Sequence, residues 1–406
     1  MRILFAAPYI PSRIRVRPFH FIRGLKGLGH SVHFIGVDEP HAGAGALEEL
    51  SQFCASVEIF KIPWGRPYLN CALSLGKRMA LQTAFRFSAE FQKRVQDVAS
   101  SQNFDILHIE HIRAGYGVPE ARDIPALYDS VDCITSLYAQ FARKAHSPLR
   151  RLLSWIEYQK LRTYEPLLLS RYDGIIVTAE REKRCLQALA QACGTVMPQA
   201  CVIPNGVDGA YFHPQDANQE EPGAIVFSGK IGYYANAWAA EHFAQEIFPK
   251  IRAKKPGARF YIVGADPSRG TSRLTRTGNT LVTGQVPDVR TYLGRAEVVV
   301  CPLRIAVGIQ NKLLEAMAMG KAVVTYPEGT LGFQPPEEDI YWIAEGPEDF
   351  AQKVMTLMDH KPLRLSLGLR ARNYVQKHYA WENQLNKLID FYRVLIRGNR
   401  RKSVGV

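Results

Sequence analysis

The sequence predicts an α/β protein of two doubly wound domains. Short β-branched or aromatic runs alternate with segments of helical periodicity, this alternation occurs twice, and a polar stretch punctuated by Pro and Gly separates the two series. At 406 residues the chain has room for two or three domains, and 47% hydrophobic with 22% charged residues builds a core rather than a disordered chain. In the first series Arg2 to Ala7 is a strand, Phe19 to Leu28 a helix closed by Gly29, and Ser31 to Val37 the next strand. Strands follow at Phe104 to Ile109, Ala126 to Tyr128 and Gly174 to Thr178. Pro204-Asn205-Gly206 then turns the chain into an aperiodic segment. The second series has strands at Ala224 to Ser228, Arg259 to Val263, Thr280 to Thr283, Ala296 to Cys301 and Ala322 to Thr325, with helices over Trp238 to Lys250 and Lys312 to Met319. From Pro347 onward the chain reads as helical, with a frayed end carrying Arg397, Arg400, Arg401 and Lys402. The domains expected are residues 1–206, a linker at 207–222, a second domain at 223–375, and a C-terminal helix and basic tail at 376–406. The carboxyl ends of the parallel strands, facing a cleft between the domains, are where a ligand is expected.

The charge narrows the partners. Fifty-one Lys and Arg against 38 Asp and Glu leave +13 at pH 7, a surface that attracts phosphates, nucleotide sugars, anionic lipid or nucleic acid. No recognition helix or RNP motif supports nucleic acid. Seven scattered cysteines lack Cys-x-x-Cys or zinc spacing, which fits reduced thiols in a cytoplasmic protein. The opening MRILFAAPYIPSRIRVR has too short an apolar run for a signal peptide, and no stretch reaches membrane-spanning length. The basic, aromatic stretch from Arg143 to Arg171 suits either a helix packed on its own sheet or peripheral contact with an anionic membrane.

Gly308 to Gly320, GIQNKLLEAMAMG, directly follows the strand AEVVVCPL. A strand that turns through glycine into a helix gathers free N–H groups and a positive dipole end, which suits a diphosphate. Lys312 adds a cation there, and Glu315, about one turn on, shares its face. A capped helix with a Lys312–Glu315 pair is the alternative reading. In the first series, Arg13, Arg15 and Arg17 follow strand one, either as phosphate-binding forks or as a solvated basic loop. FDILHIEH ends in His108, Glu110 and His111, of which Glu110 and His111 are expected at the cleft and His108 packed. Asp129 and Asp132 either cap the next helix or meet an acceptor hydroxyl.

PLRIAVGIQNKLLEAMAMGKAVVTY resembles the donor-site motif of family 4 (group 1) retaining glycosyltransferases of the GT-B fold, the type of sugar transferase found in bacterial polysaccharide synthesis. The order and spacing of FDILHIEH, YDSVDCITS, VIPNGVDGAYFHP, AIVFSGKIGYY, FYIVGA and VTGQVPDVRTYLGRAEVVVCPL extend that resemblance over most of the chain. It implies two Rossmann-like domains, with the C-terminal helices packing back toward the first. It also implies metal-independent transfer of a sugar, with retention, from a nucleoside diphosphate sugar to a glycan or lipid-linked acceptor, without a cofactor. The residues expected in catalysis are Glu110, His111, Lys230 and Lys312. Those expected in donor binding are Glu315, Gly308, Ile309, Gln310, Asn311 and Val286, with Arg15 and Arg17 added where the family has a Gly-Gly turn. Glu315 matches the second Glu of the family's pair, which holds the ribose, while the first position is Val307. The family's Arg and Lys in the first loop of the second domain become Lys230 and Ala235, with Lys312 expected to replace the missing charge. The retained fold with altered residues also admits a nucleotide-sugar epimerase or a non-catalytic nucleotide-sugar-binding subunit.

Overall fold

The computed structural model describes residues 1–13, 15–38, 45–101, 103–145, 147–214 and 220–404; part of the expected linker, and single positions in the basic loop and the Arg143 to Arg171 stretch, lie outside them. The chain divides into two compact units, Met1–Pro204 with Glu382–Val406, and Asn205–Trp381.

The first unit is built on seven parallel strands in the order β3-β2-β1-β4-β5-β6-β7. They are β1 (Arg2–Ala7), β2 (Ser31–Val37), β3 (Ser56–Phe60), β4 (Ile106–Glu110), β5 (Ala126–Val131), β6 (Gly174–Val177) and β7 (Gln199–Val202). The central strands β1, β4 and β6 are buried along almost their whole length, as expected of a parallel sheet covered on both faces. The order reverses between β1 and β4, and that switch point opens a crevice at the carboxyl ends.

The second unit has six parallel strands in the order β10-β9-β8-β11-β12-β13. These are β8 (Ala224–Ser228), β9 (Arg259–Val263), β10 (Thr280–Gly284), β11 (Val298–Cys301), β12 (Val323–Thr325) and β13 (Trp342–Ile343). Its switch point lies between β8 and β11.

Two expectations from the sequence are corrected. The helix expected over Trp238 to Lys250 is two helices, Tyr234–His242 and Phe248–Lys254, joined by a π-helical turn at Phe243–Ile247, with Pro249 in the first turn of the second. The end expected to fray is the helix Trp381–Val404. Upstream of that end Leu395 and Phe391 fill the space a side chain at Gly174 would need, Leu385 does the same at Gly24, and the Tyr392 hydroxyl reaches His108 Nδ1 at 2.5 Å; within it, Asn399 Nδ2 donates to the Asp123 carbonyl at 2.6 Å. This helix is part of the first unit.

Candidate active site

In the second unit the predicted donor residues gather at the switch point. The sharp turn after β8 is Gly229, with φ 149°, and a Cβ on Gly264 (φ 147°) would strike the Gly229 carbonyl, so both positions require glycine. That turn brings the start of helix Tyr234–His242 beside helix Asn311–Ala318. Ala235 is buried and carries no charge, but Asn236 next to it is buried too. Asn236 Oδ1 accepts from Lys312 Nζ at 2.5 Å, while Asn236 Nδ2 donates to the Lys230 carbonyl at 2.9 Å. Lys312 Nζ also lies 5.2 Å over the Phe227 ring. Lys312 thus stands at the carboxyl end of β8, and its side chain is held in place by Asn236.

Burial lowers the Lys312 ammonium from its ordinary value, and Glu315 partly offsets this. Burial pushes the Glu315 carboxyl up to about 7, with Lys312 opposing. No described residue hydrogen-bonds the Glu315 carboxylate, while the Glu315 carbonyl accepts from Met319 N–H at 3.1 Å. Lys230 is exposed, with Nζ 4.0 Å from Asp266 Oδ2. Gly308 (φ 57°) and Ile309 lead to Gln310, which occupies the cap position of helix Asn311–Ala318 without a side-chain cap, so the first N–H groups of the helix point past its start. The Gln310 side chain instead donates to the Val307 carbonyl at 3.1 Å. Asn205, expected to act through backbone geometry, donates from Nδ2 to Asn311 Oδ1 at 2.9 Å and fixes the helix start. Val307 is buried. Val286, half-buried, follows β10 at the same sheet end.

The first unit gathers a second group at its own switch point. Glu110, 1% exposed, ends β4 opposite Asp129 on β5. Its Oε1 accepts from the Tyr9 hydroxyl at 2.5 Å, and its Oε2 is buried with no hydrogen bond among the described residues. Burial first, then Asp129, pushes Glu110 up to about 8, against Tyr9 and two arginines. His111 adopts φ 69°, its N–H donating to the Asp129 carbonyl, and burial with Arg113 and Arg15 holds its ring well below the usual histidine value. It is therefore a neutral imidazole. His108 is packed, stacked on Phe5 with ring centroids 4.1 Å apart.

The arginine loop does not present three cations together. Arg13 pairs with Glu49 at 2.9 Å, and Arg15 lies 4.5 Å over the Tyr9 ring. Arg17, expected to bind the donor, is 3% exposed, with Nε 2.6 Å from Asp129 Oδ2 and Nη1 donating to the Ile203 carbonyl. As the second residue of helix Val16–Gly27 it turns into the core, where it neutralises a buried carboxylate. Neither aspartate caps the following helix: Asp132 accepts from the Thr178 hydroxyl, and the cap position is Cys133. The start of helix Ile134–Lys144 is instead held by two carboxylates from other helices. Glu182 accepts from Cys133 N–H, and Glu165 accepts from Ile134 N–H, Thr135 N–H and the Thr135 hydroxyl.

Sequence reading missed Asn236, Tyr9 and Asp266. The position after Ala235 carried the only available signal, a polar residue at the start of a helix next to a lost cation.

The family pattern described as Glycosyl transferases group 1 matches residues 222–360, the span that holds Lys230, Lys312 and Glu315. The second unit thus carries the pattern of group 1 glycosyl transferases. The chain is 23% identical to the lipopolysaccharide core biosynthesis mannosyltransferase LpcC of Rhizobium leguminosarum bv. viciae over 269 residues, 62% of this chain and 73% of that one. Sucrose-phosphate synthase from Thermosynechococcus elongatus superposes with a TM-score of 0.71 at 17% identity, over 98% of this chain and 100% of that protein. Anabaena HepE, solved with UDP and glucose, gives 0.66 at 14%, over 97% and 100%. The fold is GT-B, two Rossmann-like units in one chain.

Proposed function

We propose that this chain is a group 1 glycosyltransferase that moves a hexosyl group from a nucleoside diphosphate sugar to an acceptor hydroxyl with retention of configuration and without a metal. The acceptor is a glycan or lipid-linked glycan of a cell-surface polysaccharide, and the site of action is the cytoplasmic face of a membrane. The observation that carries the reading is Lys312 fixed by Asn236 at the end of β8, where an ammonium and uncapped helix N–H groups converge. Negative charge develops on the diphosphate as the sugar leaves, and preorganised donors aimed at it lower the barrier. Lys312, Lys230 and the amides of Ile309 to Asn311 are those donors. Glu315 accepts from the ribose hydroxyls, which favours its charged form. Glu110 and His111 serve the acceptor side: a neutral imidazole takes a proton or accepts a sugar hydroxyl. No Asp-x-Asp occurs in residues 223–375, which supports metal independence. The mannosyltransferase likeness and the UDP and glucose of HepE support the substrate class.

The test is a thermal-shift panel of UDP, GDP, ADP and dTDP sugars. One nucleotide stabilises the folded chain by mass action, and transfer with that donor persists in EDTA. A flat response to the whole panel overturns the reading.

Membrane contact is supported by the first unit's surface. Leu149, Leu152, Leu153 and Trp155 are exposed beside Arg150 and Arg151, and Trp64, 98% exposed, precedes exposed Leu69, Leu73 and Leu75. The two segments are neighbours, because Lys160 Nζ donates to the Ser74 and Lys77 carbonyls. Apolar side chains among cations suit an anionic bilayer. Co-sedimentation with phosphatidylglycerol vesicles, lost in phosphatidylcholine and in Trp155→Glu, is the expected result; equal binding to both lipids rejects it.

A further inference from the structure

The first unit contains a cavity that sugar transfer does not use. It measures about 620 Å³ and lies among helices Ile134–Lys144, Pro148–Leu169 and Glu180–Ala192. Cys133, Cys185 and Cys193 all line it, three of the seven free cysteines of the chain. Cys133 is buried at the start of the first helix, with Sγ 3.9 Å from Glu165 Oε2. Cys185 is half-buried on the third helix, one turn beyond Glu182, whose Oε2 accepts from the Cys133 N–H at 2.7 Å. That contact sets the two cysteines on adjoining walls of one cavity, where side-chain rotation is the movement that brings two sulphurs to the ~2.05 Å of a disulfide.

We propose that Cys133 and Cys185 are a modification site, a dithiol that a hydroperoxide entering this cavity converts to a disulfide. The Cys185 thiolate attacks the peroxide: an S–O bond forms, the O–O bond breaks, and the leaving oxygen takes a proton as water or alcohol. The Cys133 sulphur then displaces the sulfenic hydroxyl of Cys185, and the Cys133 proton leaves with it as a second water, with Glu165 beside Cys133 to relay it. The two thiols lose two electrons and the peroxide gains them.

The surroundings divide the roles. The interaction with Cys133, helped by Arg181 and Ser136 against burial and Glu182, brings Cys185 down to about 7, so thiolate is present at neutral pH. The same interaction, burial and Glu165 hold Cys133 well above the usual thiol range. Attack by Cys185 and resolution by Cys133 follow. The bond would tie helix Glu180–Ala192 to the start of helix Ile134–Lys144, directly after the strand that bears Asp129.

The full chain, reduced and then treated with stoichiometric hydrogen peroxide, tests this by thiol counting and peptide mass mapping. Two of the seven thiols should disappear, with a mass loss of about 2 Da. One linked peptide pair should join Cys133 to Cys185, and dithiothreitol should restore both thiols. Cys193→Ser should give the same linkage, and Cys185→Ser should retain the Cys133 thiol. Mapping of the unsubstituted chain decides the matter even if a variant fails to fold. No thiol loss, a linkage through Cys193, or lasting addition of oxygen to Cys185 overturns it.

Discussion

At the scale of single residues, the two units use buried charge in opposite ways. Lys312 donates to a neutral partner, Asn236, and on the proposed reading its charge serves the diphosphate. Arg17 is paired with Asp129. Burial alone would raise Asp129, but Arg17 and His108 bring it below the ordinary aspartate value. Arg17→Met should therefore leave an uncompensated carboxylate in the core and cost about 3–5 kcal/mol, read as a lower urea midpoint. An unchanged midpoint would show that the pair does not hold the first unit together. Asn236→Ala should leave the fold intact but release Lys312, weakening nucleotide binding roughly tenfold, as loss of one hydrogen bond to a charged group does. Calorimetry with the nucleotide chosen by the donor panel checks this, and undiminished affinity would reject Asn236 as the residue that positions Lys312.

At the scale of elements, helix Ile134–Lys144 has its first turn fastened by Glu165 and Glu182 rather than by a local cap. Glu165→Ala strips the partner from four donors, the Cys133 thiol among them, and a loss on the order of 3 kcal/mol in urea unfolding is expected. A loss below about 1 kcal/mol, the size of an ordinary surface change, would mean that the turn is held by packing. Such capping is invisible in sequence because the carboxylates come from residues 165 and 182. The sheets were far more legible. Arg2–Ala7, Ser31–Val37, Ala224–Ser228 and Arg259–Val263 are strands with the bounds their apolar runs suggest, since buried parallel strands announce themselves by continuous hydrophobicity. Ser56–Phe60, Gln199–Val202 and Trp342–Ile343 went unread: they lie at sheet edges, are short and only half-buried, and lack that signal. The same distinction governs the site. The loop and helix from Gly308 to Glu315 are contiguous and could be found as a motif, whereas the Asn236–Lys312 and Tyr9–Glu110 contacts form only when distant strand ends meet.

At the scale of the whole molecule, the buried ionisable groups give stability a definite pH dependence. Glu110 titrates at about 8, and Asp132, Glu165 and Glu315 at about 7, all above the values of the unfolded chain and all chiefly because of burial. The folded protein therefore keeps protons that the unfolded chain has lost, and rising pH removes stability until each folded value is passed. His30, His33, His108 and His111 are lowered, so they act in the other direction, but only up to the unfolded histidine value near 6.5. Above 6.5 the carboxyls are opposed mainly by Cys185, which ionises near 7 when folded. One proton changes stability by about 1.4 kcal/mol per pH unit, so the balance is a fall on the order of 2 kcal/mol between pH 6.5 and 8, with Glu110 the largest contributor. Urea unfolding at the two pH values should show that fall, and Glu110→Gln, which cannot ionise, should remove most of it. A stability that is level or rising over this interval in the unsubstituted chain, or a slope that Glu110→Gln leaves untouched, would mean that Glu110 is already a carboxylate at neutral pH. It would then be a hydrogen-bond acceptor for the Tyr9 hydroxyl rather than a proton donor to any ligand.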